Sequence, residues 1–243
     1  QGWQLHEWRL KTKSLERFRR EFSQPLWLGE QPVADKTLLI HAEGGLGDVI
    51  QKCRYVSMAE TLGATVILEV PPALVPVIAS MAGNFTLLAR GSPLPDFDLH
   101  CPTISLPLAF RTTVSSIPAS VPYLHADAEK IALWQQRLGN KTRSRIGLVW
   151  SGMIRRDIDS NPARKRDLPL QLVAPWLQLP LEFHSLQKKL RPGDEDILAG
   201  FGRIQTHHQD LNDFSDTAAL VEAMDLVISI DTSVPHLAGA MGK

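Results

Sequence analysis

Neither sign of charge is in excess in this chain: 26 lysines and arginines stand against 26 aspartates and glutamates in 243 residues. No global field therefore draws it to nucleic acid or to an anionic membrane, and any anion site must be a local arrangement. Cysteine is nearly absent. Cys53 and Cys101 are the only two, far apart and outside any CxxC spacing, so neither a disulfide framework nor a zinc site is indicated, and a reducing cytoplasm fits best. Long apolar runs are missing too. The longest stretch, Val66 to Gly83, is broken by Glu69, Pro71, Pro72 and Pro76. The first residues lack the apolar region of a signal peptide, so the chain reads as soluble, with no membrane span. No repeat period and no low-complexity tract is present. What the sequence does hold is a hydrophobic fraction of 44%, enough to fill one large or two small cores.

The first 30 residues stand apart. Trp8, Leu15, Phe18 and Phe22 form an apolar stripe at helical spacing, flanked by Arg9, Lys11, Lys13, Arg19 and Arg20, and predict a helical arm packed on the domain that follows. Pro25 and the Gln31-Pro32 turn end it. From Lys36 short apolar runs alternate with helical stretches. Residues 37–40 and 65–70 read as strands around a helix over 48–62 whose buried face is Val49, Cys53, Val56 and Ala59, a βαβ unit. Strands near 85–88 and 97–101 and a helix over 127–138 follow. The polar, basic stretch Asn140 to Ser144 is taken as the domain boundary, and a second alternating series begins at Arg145. Its strands are expected at 146–150, 182–186, 203–206 and 226–230, with helices around 170–177, 194–199 and 217–223. The expected class is α/β: two facing Rossmann-like lobes with parallel sheets, over 31–140 and 141–243, after an arm over 1–30.

Two strand-to-helix turns carry the functional signal. The first, Glu43-Gly44-Gly45-Leu46-Gly47-Asp48, resembles a dinucleotide fingerprint, with Gly45 and Gly47 opening a helix and Glu69 where a ribose-binding acid would lie. An NAD-dependent oxidoreductase is one reading. Against it, Ile50 takes the third glycine position, and Asp48 puts a carboxylate at the helix end that a pyrophosphate would need. Asp48 is then a general base or simply a helix cap.

The second turn, Asp231-Thr232-Ser233-Val234-Pro235-His236, has the opposite character. Thr232 and Ser233 can cap the helix, Pro235 fits its first turn, and free amides at a helix start attract an anion. Ser151-Gly152 and Gln187-Lys188-Lys189 leave other strands of the same lobe, and the loop over 155–167 adds Arg155, Arg156, Arg164, Lys165 and Arg166. Their convergence at one end of a sheet implies a polyanion such as a nucleotide diphosphate; singly, each is explained by capping or by a solvated loop. Asp157-Ile158-Asp159 lies in that basic loop and balances its charge, so no metal and no cofactor are expected.

The strings His41 to Gln51 with Arg54-Tyr55, Phe97 to Pro102, Ser105 to Ala109, Ile117 to Ala119, Gly147 to Gly152, Ser185 to Lys188 and Asp231 to Ala240, in this order, resemble bacterial tetratricopeptide-repeat proteins with a GT-B glycosyltransferase domain. That family is related to the lipopolysaccharide heptosyltransferases of the ADP-heptose type. Gly2 to Arg9 is similar to the last helix of its repeat array, and beyond the histidine-bearing helix the family continues with a further strand and helices. The resemblance thus implies a C-terminal lobe that extends past Lys243.

The resemblance implies a metal-independent transfer of a sugar from a nucleotide-sugar donor to a hydroxyl of a protein or glycan. The acceptor would meet the first lobe and the donor the second. Asp48 is the implied base, with His41 and Glu43 in reserve. Gly45, Gly47, Ser151, Gly152, Arg166, Gln187, Lys188, Asp231, Thr232, Ser233 and His236 are the implied nucleotide-sugar contacts. Asp167 stands where the family has a serine. A protein partner on the arm is the other implied contact, and a non-catalytic nucleotide- or protein-binding module is the alternative reading.

Overall fold

The strands form where apolar runs alternate with helical periodicity, and every pairing among them is parallel. The computed structural model describes residues 2–12, 20–152 and 167–243. In the first unit β1 (Thr37–His41), β2 (Thr65–Val70), β3 (Thr86–Ala89) and β4 (Leu99–Pro102) lie in the order β3-β2-β1-β4. The register sets Leu39 beside Ile67 on one side and His100 on the other. β1 and β2 are buried nearly throughout, as parallel strands covered on both faces must be.

The helices of this unit are α1 (Gly2–His6), α2 (Leu46–Lys52), α3 (Val56–Thr61), α4 (Val75–Ile78) and α5 (Leu106–Ala109). A 3-10 turn over Cys53–Tyr55 joins α2 to α3. Val49, Cys53, Val56 and Ala59 are fully buried along that run, so the expected stripe does face the sheet. Both cysteines are buried free thiols, and burial pushes Cys53 up to about 12.

The second unit repeats the plan. β5 (Arg145–Val149), β6 (Glu182–Ser185), β7 (Ile204–Thr206) and β8 (Leu226–Ser229) lie in the order β7-β6-β5-β8, with α6 (Ala128–Leu138), α7 (Asp194–Phe201), α8 (Phe214–Glu222) and α9 (Ser233–Ala240). Ile146, Leu148, Phe183, Leu198 and Ile204 join Leu170, Val173 and Leu177 in one core. Residues 170–178 form a 3-10 helix rather than the expected α-helix, since in an α-helix the ring of Pro175 would clash with the carbonyl four residues back. β8 is an edge strand with Leu226 and Ile228 exposed.

Two other readings differ from the structure. Among the described residues the arm is helical in α1 and in a 3-10 turn over Glu7–Lys11, and Thr12 is extended with its hydroxyl bonded back to the Arg9 carbonyl. Trp8 is largely exposed, and Phe22 is outside any helix. Phe22 packs instead on His41, Phe97 and His100. Leu15 and Phe18 lie outside the described residues. The chain divides between Tyr123 and Leu124, ahead of the basic stretch at 140–144. The reason is α6, which belongs to the second unit through Lys130–Asp216 and Arg137–Asp210 ion pairs and Trp134 against His207.

Each sheet buries a histidine. Burial, then a neighbouring histidine and arginines, lowers His41 to about 3 and His184 to about 4 from an ordinary 6.5. An unfolded chain takes up these protons near pH 6.5, whereas the fold resists them until far lower. Stability is therefore complete above pH 6.5 and declines as pH falls toward the folded values, by up to about 1.4 kcal/mol per pH unit for each histidine. His184→Phe should flatten the fall between pH 6.5 and 4 in urea titrations; an unchanged slope would show that this histidine is not held neutral.

Candidate functional site

In an open parallel sheet the loops at the carboxyl ends diverge where the strand order reverses, and ligands bind in the crevice this leaves. The first sheet reverses between β1 and β4, the second between β5 and β8. The first crevice is bounded by the glycine turn after β1, the second by the turn into α9.

At the first crevice Gly44 is left-handed, with φ of +83°. A Cβ there would lie 2.6 Å from Asp48 Oδ2 and 2.9 Å from Ile104 Cδ1, so any other residue must displace both side-chain ends while holding a strained φ. Gly45 is the residue before α2, and its N–H donates to Asp48 Oδ2 at 2.7 Å. Asp48 therefore does cap its helix, yet it is exposed, as is Gly45, while Gly47 is half-buried in the first turn.

Glu43 is buried, and both its oxygens are taken by the guanidinium of Arg9, from Nε at 3.0 Å and from Nη2 at 2.7 Å. Thr103 Oγ1, beyond β4, accepts the Glu43 N–H at 3.0 Å. Arg9 also donates to Ser105 Oγ and to Glu7. Burial opposes its charge, but the hydrogen bonds to Glu43 and Glu7 outweigh that and hold it above its ordinary value. Removing one partner of such a pair strands the other, at a cost of about 3–5 kcal/mol.

His41, at the end of β1, meets His100 at 3.3 Å, and its Nδ1 is buried without a hydrogen-bond partner. Arg20 pairs with Glu69 beside it. With its proton affinity so depressed, His41 is a weak base.

At the second crevice the amides leaving β5 are already engaged. Gln187 Oε1 accepts from Trp150 N and Ser151 N, both at 3.2 Å, and its Nε2 donates to Ser151 Oγ at 2.7 Å. Gly152 N donates to Asp167 Oδ1 at 3.0 Å, and Asp167 pairs with Arg191. Gln187 and Ser151 thus shape the loop from within. Lys188 is exposed in the turn after β6.

Across the crevice Thr232 precedes α9 and makes no side-chain bond to the helix amides; its hydroxyl sits 3.5 Å from Ser229 Oγ. The expected side-chain cap is thus not formed. Ser233 opens the helix half-buried, and His236 lies one turn in, 3.9 Å from the exposed Asp231, beyond hydrogen-bond range. Arg166 and the cations at 155, 156, 164 and 165 lie outside the described residues. An open apolar pocket adjoins these strand ends, lined in part by Trp150, Trp176, Ile228 and Ile230.

Among the described residues no group of three His, Cys, Asp or Glu is placed to hold a metal, and no helix is long and apolar enough to cross a membrane. Sequence reasoning missed Arg9, Thr103 and Ser105. No spacing signal links positions so far apart, although Ser105 does open one of the strings quoted above.

No family model matches the sequence. Protein FlbA of Caulobacter vibrioides is 25% identical over 269 residues, an alignment that takes in all of this chain and 44% of that protein. The chain thus spans under half the length of this relative. Among solved structures it is similar to a glycosyl transferase family 9 protein from Veillonella parvula, with a TM-score of 0.59 and 11% identity over 87% of this chain and 80% of that one. It is also similar to TibC, an iron-containing dodecameric glycosyltransferase from enterotoxigenic Escherichia coli, with a TM-score of 0.58 and 10% identity over 87% and 57% of the two chains. E. coli ADP-heptose lps heptosyltransferase II gives 0.53 and 11% over 85% and 82%. At such identities the likeness establishes the fold: two parallel-sheet α/β lobes of the kind glycosyltransferases use.

The crowding at Gly44 has a measurable consequence. Gly44→Ala must both hold a strained φ and displace the Asp48 carboxylate, so it should destabilise the chain by about 1–3 kcal/mol. Chemical denaturation that leaves the midpoint unmoved would show that the turn is looser than described.

Proposed function

We propose that this chain carries the catalytic region of a glycosyltransferase that moves a sugar from a nucleotide-sugar donor to a hydroxyl of a protein or glycan. The observation that carries the reading is the start of α9. Its amides meet no capping side chain from Thr232, and it stands at the switch point of the second sheet, where a helix N-terminus attracts a diphosphate. Ser233 and His236 share that first turn with Thr232, and Lys188 leaves the neighbouring strand β6 as a point charge suited to phosphate. Glycosyltransferases of the same fold support the reading.

In this reading the second unit holds the donor and the first supplies the base. Asp48 is the candidate because, of the three acids and bases at the first turn, it alone is exposed. Glu43 is bound by Arg9, and His41 is buried and resists protonation. Asp48 would take the acceptor hydroxyl proton as the anomeric bond breaks, and the α9 amides would stabilise the departing diphosphate. Those steps need no metal. The same Asp48 disfavours a dinucleotide at the first turn, since its carboxylate occupies the Gly45 N–H that a pyrophosphate would take. Action in the cytoplasm and contact with a protein partner through the arm belong to this reading as well.

Calorimetry with ADP, GDP and UDP tests the donor site. Thr232→Ala and Lys188→Ala should each weaken the preferred diphosphate by about 1–3 kcal/mol; unchanged affinity in both would overturn the assignment. For the base, Asp48→Asn keeps an acceptor for the Gly45 N–H and should leave melting nearly unmoved while cutting turnover about a hundredfold or more. A variant that melts earlier and turns over normally would mark Asp48 as a cap alone. Nucleotide binding without turnover in the intact protein would favour a non-catalytic module.

A further inference from the structure

Arg9 belongs to the arm, yet its side chain is as buried as the sheet's own residues, with 6% of its surface exposed beside 3% for Glu43. An arginine has five N–H donors. Here Nε meets Glu43 Oε1, Nη2 meets Glu43 Oε2 and Ser105 Oγ, and Nη1 meets Glu7 Oε1 and the His6 carbonyl. The fork is saturated, so it has nothing left to offer a phosphate or a carboxylate from outside. What it does is fix Glu43. Ser105 Oγ, which accepts from Arg9, donates in turn to Glu7, and Thr103 Oγ1 holds the Glu43 backbone through both its N–H and its carbonyl.

Glu43 is followed directly by Gly44, whose left-handed φ brings the chain back against Asp48, and by Gly45, whose N–H the Asp48 carboxylate accepts. A single residue, Gly44, therefore separates the Arg9 clamp on Glu43 from the Gly45 bond that orients Asp48. A bidentate guanidinium–carboxylate pair defines both the position and the plane of the carboxylate. We propose that Arg9 is a positioning residue for the glycine turn, so that the turn and its Asp48 reach their working geometry only with the N-terminal arm docked. For turnover this rests on the reading of Asp48 as the base; for the geometry of the turn it does not.

The test uses the intact protein and two readouts, hydrogen exchange of the backbone and steady-state turnover of an ADP-, GDP- or UDP-linked sugar. Arg9→Met should speed exchange of the amides in 43–50 about tenfold or more while those of α6 stay unchanged. Glu43→Gln should do the same, and the double variant should loosen 43–50 no more than Arg9→Met alone, because both break the Arg9–Glu43 pair. Arg9→Lys, which keeps the charge and loses the fork, is the variant to read should Arg9→Met fail to fold; it should fall between wild type and Arg9→Met. In turnover, Arg9→Met should lower kcat by about tenfold or more with the donor KM unchanged, and Arg9→Lys should restore part of it.

Unchanged exchange in 43–50, or effects of Arg9→Met and Glu43→Gln that add in the double variant, would overturn the proposal. A wild-type chain without turnover whose 43–50 amides still loosen in Arg9→Met defeats the transferase reading and leaves the positioning intact. Wild-type turnover that Arg9→Met does not alter, with unchanged amides, defeats the positioning and leaves the transferase reading intact.

Discussion

Parallel pairing is the constraint from which the rest follows. All the described ladders run parallel, so each strand releases the chain at the same edge of its sheet, and the polar residues of the loops gather there. The strands themselves are apolar because they are covered on both faces. Chemistry is thereby expelled to one rim, and the strand orders β3-β2-β1-β4 and β7-β6-β5-β8 open one crevice in each rim.

The two crevices are finished in different ways. In the first, buried groups pair with one another: Arg9 with Glu43, and Thr103 with the Glu43 backbone. In the second, the loop after β5 is braced by Gln187 and Asp167, while the start of α9 carries no side-chain cap. The first crevice is thus closed by buried side chains, whereas at the second the loop is braced and Thr232 leaves the helix start without its cap.

Much of this was legible in the sequence. The strands and the α2–α3 stripe follow from hydrophobic period, and both strand-to-helix turns from glycine, aspartate and proline at strand ends. What eluded sequence reasoning has physical causes. Pro175 lies inside a stretch that forms a 3-10 helix where an α-helix is expected, and Thr12 is extended within the stretch read as one helix. The side chain that holds the first turn lies far away in the chain. Arg9 carries no local mark that separates it from the other cations of the arm, because its role is set by Glu43 and Ser105, which only tertiary structure brings near. Thr232 illustrates the opposite limit: a residue type that usually caps stands at the capping position, yet its hydroxyl is directed elsewhere.

The Arg9 network also depends on how this unit is assembled. Glu43 follows β1 and Ser105 follows β4, so their acceptors become neighbours of one guanidinium only once those two strands lie side by side. The contacts span 34 and 96 positions of chain, so the complete fork depends on the pairing of strands that are themselves distant in sequence. The seat of Arg9 is thus a property of the assembled sheet and not of the arm, and an Arg9 without that seat would be a solvated cation.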